Sequence, residues 1–165
     1  MATLISVNPE LIYSDNSMET TKKRILNGQT WNKGQWLFTD TSDLLKACAS
    51  DADGGTGGIK FVALTDQTDP GNSTTLAEVG VITSDMIWGM NELDGTVALT
   101  DVGAQFAVDV TSNVVTVDIG DTTNIAVEIT DLGATLNPIK YVVADVKAKV
   151  YAKVIAAALT AVQQA

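Results

Sequence analysis

From Gly28 onward, turn-forming residues cut the chain into short β-prone runs, and this spacing constrains the fold more than any other feature of the sequence. The runs are Gln35–Phe38, Ile59–Leu64, Leu76–Ile82, Met86–Trp88, Gln105–Val110, Val114–Ile119 and Ile125–Thr130. All are too short for an ordinary helix, and most are rich in the β-branched and aromatic residues that suit a pleated strand. Such a series predicts a mainly β fold, a small antiparallel β-barrel or sandwich. Two runs alternate clearly: Val115, Val117 and Ile119 oppose Thr116 and Asp118, and Ile125, Val127 and Ile129 oppose Ala126, Glu128 and Thr130. Each reads as a strand with one buried face. The connection Gly120–Asn124 is built of turn formers and is short, so these two strands are expected to pair as an antiparallel hairpin. Asp53–Gly58 and Asp69–Ser73 read as longer loops, and Asp94-Gly95 as a further turn.

The flanks differ from this core. Over residues 1–27, Leu4-Ile5-Ser6-Val7 and Leu11-Ile12-Tyr13 are apolar clusters separated by Asn8-Pro9-Glu10, which reads as an extended arm. Glu19–Leu26 fits a short helix or a strand, and Asn27-Gly28 ends it with a turn. Residues 28–137 form the expected barrel core, and 138–165 a C-terminal extension that is partly helical. In that extension Val142, Ala144, Val146, Ala148, Val150, Ala152 and Val154 recur at every second position, the period of a strand. A helix is the alternative, with Val142, Val146, Val150 and Val154 stacked on one face and Pro138 in the first turn. The reading adopted is a strand to about Val150 followed by an Ala-rich helical tail over Ala152–Gln163. No internal repeat is visible.

Composition excludes chemistry more than it assigns it. The chain has 165 residues and no histidine, which removes the usual general base at neutral pH, the commonest zinc ligand and every Ser-His or Cys-His arrangement. The one cysteine, Cys48, lies among small apolar neighbours and reads as a buried small hydrophobe. Residues 1–20 contain no continuous apolar run of the signal-peptide kind, and no segment approaches the roughly 18 apolar residues of a membrane span. The expectation is a soluble product made in a cytoplasm.

Charge is unevenly placed. Residues 1–60 hold six basic and seven acidic side chains; residues 61–137 hold twelve acidic and none basic; residues 138–165 hold four lysines and one aspartate. An anionic middle repels phosphate backbones and anionic headgroups, so neither nucleic acid nor membrane is expected as a partner. A basic partner surface is attracted, and the acidic charge also serves simple solubility.

The motifs that suggest sites fail on inspection. Asp51-Ala52-Asp53-Gly54-Gly55 starts like a calcium loop, but the sixth and twelfth positions are Thr56 and Val62 where an EF-hand needs Gly and Glu. The glycine run Gly54–Gly58 lacks the Lys-Ser/Thr of a phosphate loop. Asn72-Ser73-Thr74 matches a glycosylation sequon without a secretion signal. Asp66, Asp69, Glu78, Asp85, Glu92 and Asp94 supply carboxylates for glycosidase chemistry, but no Arg, Lys or His in the same stretch would orient a substrate. No catalytic residue, cofactor, metal or small-molecule substrate is therefore expected. Trp36 and Trp88 are expected in the core, and Trp31, between Thr30 and Asn32-Lys33-Gly34, at an interface.

Four stretches, Lys33–Leu37, Gly58–Gln67, Val79–Ile82 and Leu99–Phe106, occur in an order that resembles the small β-barrel capsid cement, or head decoration, proteins of tailed bacteriophages. The resemblance runs over Gly28 to about Val150 and implies a non-enzymatic virion protein. Such a protein is expected to form homotrimers on the outer surface of the expanded head and to bridge subunits of the major capsid protein. The arm and the lysine-bearing extension are additions to that pattern. An arm of apolar clusters suits docking on a neighbour, with Leu4, Ile5, Val7, Leu11, Ile12 and Tyr13 as candidate anchors beside Trp31. Lys147, Lys149 and Lys153 are candidates for an oligomer interface against the anionic core of a neighbouring copy. A tail, fibre or baseplate component and, behind it, a carbohydrate-active enzyme are the alternative readings.

Overall fold

The computed structural model describes residues 8–48, 58–92, 97–111, 113–132 and 149–160. Eleven strands fall in these residues: β1 (Glu10–Tyr13), β2 (Thr20–Arg24), β3 (Trp36–Thr39), β4 (Leu45–Ala47), β5 (Phe61–Ala63), β6 (Leu76–Val81), β7 (Ile87–Asn91), β8 (Gln105–Thr111), β9 (Val114–Asp118), β10 (Val127–Leu132) and β11 (Lys149–Val154). A 3₁₀ turn at Leu99–Asp101 precedes β8, and a short helix, α1 (Ala156–Thr160), follows β11. The strands form two antiparallel sheets, one of six strands in the order β1-β7-β11-β10-β8-β9 and one of five in the order β2-β6-β5-β3-β4. Each sheet curls back toward its own far edge, with a single bridge at Glu92–Val117 in the larger and at Ile25–Leu45 in the smaller. Neither bridge extends into a ladder, so of the two expected architectures the fold is the layered one and not a closed barrel.

One apolar core joins the sheets. Trp36, Phe38 and Val62 of the five-stranded sheet meet Trp88, Met90, Phe106, Val108, Val115, Val117, Val127, Ile129, Val150, Ala152 and Val154 of the six-stranded sheet. Trp36 and Trp88 pack edge to face with ring centroids 5.7 Å apart, the arrangement favoured by the aromatic quadrupole. Both are buried, as is Cys48, in agreement with the sequence. The smaller sheet also buries its other face. There Leu37, Leu45, Phe61, Ala63 and Val79 close around Ile25 and Trp31 as a second apolar core. Burial on both faces explains why Trp36-Leu37-Phe38 and Phe61-Val62-Ala63 are continuous apolar runs and do not alternate.

All seven expected strands are present, but their pairing departs from the sequence reading at one hairpin. β9 does not pair with β10. β8 lies between them, and β9 pairs with β8 across the tighter connection in which Thr111 faces Val114. Asn113 in that connection adopts φ +63°, a left-handed conformation Asn tolerates well. The five-residue loop Gly120–Asn124 instead carries the chain over β8, and Ala107 donates its amide to the Asp121 carbonyl at 3.0 Å.

The N-terminal segment is not a free arm from Glu10 onward. β1 pairs with β7 in the larger sheet and β2 with β6 in the smaller, so residues 10–24 run from one sheet to the other. At the other end of the chain, the strand persists through Val154 because Val150–Val154 pairs with β10 across a bulge at Thr130, and the helix begins at Ala156, four residues later than expected. Lys60 Nζ donates to the Leu159 carbonyl at 3.1 Å, a favourable cation at the end of that helix. The expected arm residues 1–7, the glycine loop over 51–57, Asp94-Gly95 and the period-two stretch before Lys149 lie outside the described residues.

Candidate functional site

The candidate anchors are dispersed by the fold. Leu4, Ile5 and Val7 lie outside the described residues. Leu11 packs against the shared core from β1, Ile12 is half-buried beside it, and Tyr13 is exposed at the end of the strand. Tyr13 donates its hydroxyl to Asp15 Oδ1 at 2.7 Å, and this carboxylate partner raises the phenol pKa. Asn8 fixes the approach to β1: its Nδ2 donates to the Asn113 carbonyl at 3.0 Å and its Oδ1 accepts the Val115 amide at 2.9 Å. Gly34, at φ +87°, comes close enough that a Cβ there would stand 3.2 Å from Asn8 Cβ. Residues 8–24 are thus a strap fastened to both sheets.

Trp31 corrects its expectation. It is 2% exposed and belongs to the second core, where its backbone exchanges hydrogen bonds with Gln67 at 3.0 and 2.9 Å. Its polar neighbours misled the sequence reading because they turn outward: Lys33 donates its amide to Asp66 Oδ1 at 2.6 Å and Asn32 donates to Gln35 Oε1 at 3.2 Å. The indole points inward from a loop whose polar groups are satisfied by other loops.

The lysine candidates separate as well. Lys147 is outside the described residues, and Lys149 begins β11 opposite Asn91. Lys153 pairs with Glu128 of the neighbouring strand at 3.6 Å within the same chain. A run of positive charge lies elsewhere, on β2. Lys23 pairs with Asp43 at 2.6 Å over the Phe61 ring, while Lys22 and Arg24 are exposed with no ion-pair or hydrogen-bond partner among the described residues. With Asp43, Leu44 and Leu76 they line a groove of about 350 Å³. The basic triplet Lys22–Arg24 is visible in the sequence, but its place on a sheet edge follows only from the pairing of β2 with β6.

The carboxylates of the anionic middle hold loops. Asp69 Oδ1 accepts the amides of Gly71 and Gly28, both at 2.9 Å, and these bonds lower its pKa. Asp85 accepts the hydroxyl of Thr83 and the amide of Asp15 at 3.0 Å, and its pKa is lowered in the same way, chiefly by Thr83. Glu78 Oε1 accepts Thr20 Oγ1 at 3.1 Å across the β2–β6 pair. Asn72 of the sequon caps its own loop, its Oδ1 receiving the amides of Thr74 and Thr75 at 2.9 and 3.0 Å. Among the described residues no three acidic or sulfur side chains gather where they could hold a metal ion. No described helix is long and apolar enough to cross a membrane.

Comparison with known proteins finds no match, whether with protein families, curated proteins or solved structures.

Proposed function

We propose that the chain is a structural virion protein, a capsid cement protein that binds the outer surface of an assembled phage head as a homotrimer and bridges subunits of the major capsid protein. The observation that carries this reading is the ordered set of stretches resembling head decoration proteins, which occupy successive parts of both sheets. Lys33–Leu37 leads into β3, Gly58–Gln67 contains β5, Val79–Ile82 closes β6, and Leu99–Phe106 runs from the 3₁₀ turn into β8. Two further features support it. Asp69, Asp85 and Glu78 accept hydrogen bonds from backbone amides or a hydroxyl and so fasten the surface together. The chain also presents an anionic body beside a short basic edge, a surface suited to docking on a charged protein shell. Several weak contacts per trimer on a repeating lattice add up through effective concentration.

The test is co-sedimentation of the full-length chain with expanded phage heads stripped of their surface proteins. Saturable binding to assembled heads and none to isolated capsid protein is the expected result. A folded chain that fails to bind heads would contradict the proposal and turn attention to tail, fibre or baseplate partners.

A further inference from the structure

The turn at Asn27-Gly28 closes β2 and holds the sequence's single Asn-Gly pair. Asn27 is exposed, Gly28 adopts φ +88°, and the Gly28 amide donates to Asp69 Oδ1 at 2.9 Å. The Asn27 amide is fixed in turn by Ser73 Oγ at 3.0 Å. A glycine after asparagine leaves its amide nitrogen open to the preceding side chain, since it has no Cβ to hinder approach. What distinguishes this turn is that a carboxylate already touches the proton that must leave.

We propose that Asn27 is a site of self-catalysed deamidation in the folded protein, with Asp69 as the base. Asp69 takes the proton of the Gly28 amide, and the nitrogen attacks Cγ of Asn27 to form a five-membered imide. The bond from Cγ to Nδ2 breaks, and ammonia leaves with the proton returned by Asp69. Solvent water then opens the imide at either carbonyl, giving aspartate or isoaspartate; the sum is asparagine plus water to acid plus ammonia. While the imide exists Gly28 has no amide proton, so the link from this turn to Asp69 is lost. The product adds a carboxylate at the residue preceding the amide that binds Asp69, and like charges repel. Opening the imide returns a proton to the Gly28 amide, so its bond to Asp69 is lost only while the imide lasts, and the added charge is what persists. Modification therefore loosens the corner where β2 ends beside the second core.

Aged full-length chain tests the proposal, followed by intact mass, peptide mapping and enzymatic labelling of isoaspartate. Asp69→Asn keeps a hydrogen-bond acceptor but removes the base, and near-ultraviolet circular dichroism verifies that the variant is folded. Acid is expected to accumulate at Asn27 before any other asparagine, with a rate roughly fivefold slower in Asp69→Asn, modest beside the 10²–10⁴ of a dedicated catalytic base. In denaturant the two chains are expected to react alike, which separates the folded arrangement from the intrinsic reactivity of the dipeptide. If Asp69 only restrains the turn, Asp69→Asn will deamidate as fast as the wild type or faster, and the proposal is wrong. It is equally overturned if Asn27 stays intact while other asparagines convert.

Discussion

The two sheets solve the problem of a second face in different ways. In the five-stranded sheet the face turned away from the shared core is apolar, with Leu37, Leu45, Phe61, Ala63 and Val79 closed over by Trp31 and Ile25. In the six-stranded sheet the residues that alternate with the core include Asn91, Thr116 and Tyr151, all buried. The smaller sheet therefore gains burial energy from both sides, while the larger one places polar groups where water is excluded. Burying a polar group without a partner costs free energy that apolar burial does not. The difference teaches that a loop tryptophan can cover the second face of short central strands where no further sheet does.

Truncating the residue that closes the second core should have the largest effect on this comparison. Trp31→Ala is expected to destabilise the chain by about 3–5 kcal/mol, measured by urea unfolding, as for other buried tryptophans. A cost below about 1 kcal/mol would mean that the second core contributes little. The opposite sign is expected in the larger sheet. The Thr116 hydroxyl is buried with no hydrogen-bond partner among the described residues. Thr116→Val should therefore stabilise by about 1 kcal/mol, seen as a higher denaturation midpoint at an unchanged slope. A destabilised valine variant would show that the hydroxyl is satisfied in solution.

The smallest effect belongs to the loops that seat Trp31. Asp69 has a folded-state pKa below its ordinary value of 3.8 because it accepts the Gly71 and Gly28 amides. A lowered folded pKa contributes stability that is present above 3.8 and is lost as pH falls through the folded value. Wild type should thus be more stable than Asp69→Ala at neutral pH, and thermal melts should show the gap closing under acid conditions below 3.8. A gap independent of pH would remove the carboxylate charge from the explanation.

These contrasts also explain what the sequence revealed. Strands with an alternating or strongly apolar pattern were readable, since burial of one or both faces writes itself into neighbouring residues. The sequence leaves β1 within an extended arm and Glu19–Leu26 open between helix and strand, because the partners Gly89 and Val79 lie far along the chain and only pairing reveals the register. β4 is three residues long and gives almost no period. The hairpin between β9 and β10 was misassigned because loop length alone permitted it, while the two-residue connection before Val114 competed and won. Trp31 was placed at an interface because its sequence neighbours are polar, yet hydrogen bonds to Gln67 turn the ring inward. Of the candidate site residues, Lys153 is engaged within its own chain, while Lys22 and Arg24, without an ion-pair partner among the described residues, lie on an edge strand that only pairing identifies.

Burial of Trp31 both closes the second core and removes this residue from the surface available to a partner. Fluorotryptophan labelling of the full-length chain places all three tryptophans in one ¹⁹F NMR spectrum, with Trp31 assigned through Trp31→Phe. The predicted result is a Trp31 resonance insensitive to exchange of H₂O for D₂O and to a soluble paramagnetic agent, like those of Trp36 and Trp88. A Trp31 resonance that shifts and broadens as free fluorotryptophan does would contradict the second core and return Trp31 to the protein surface.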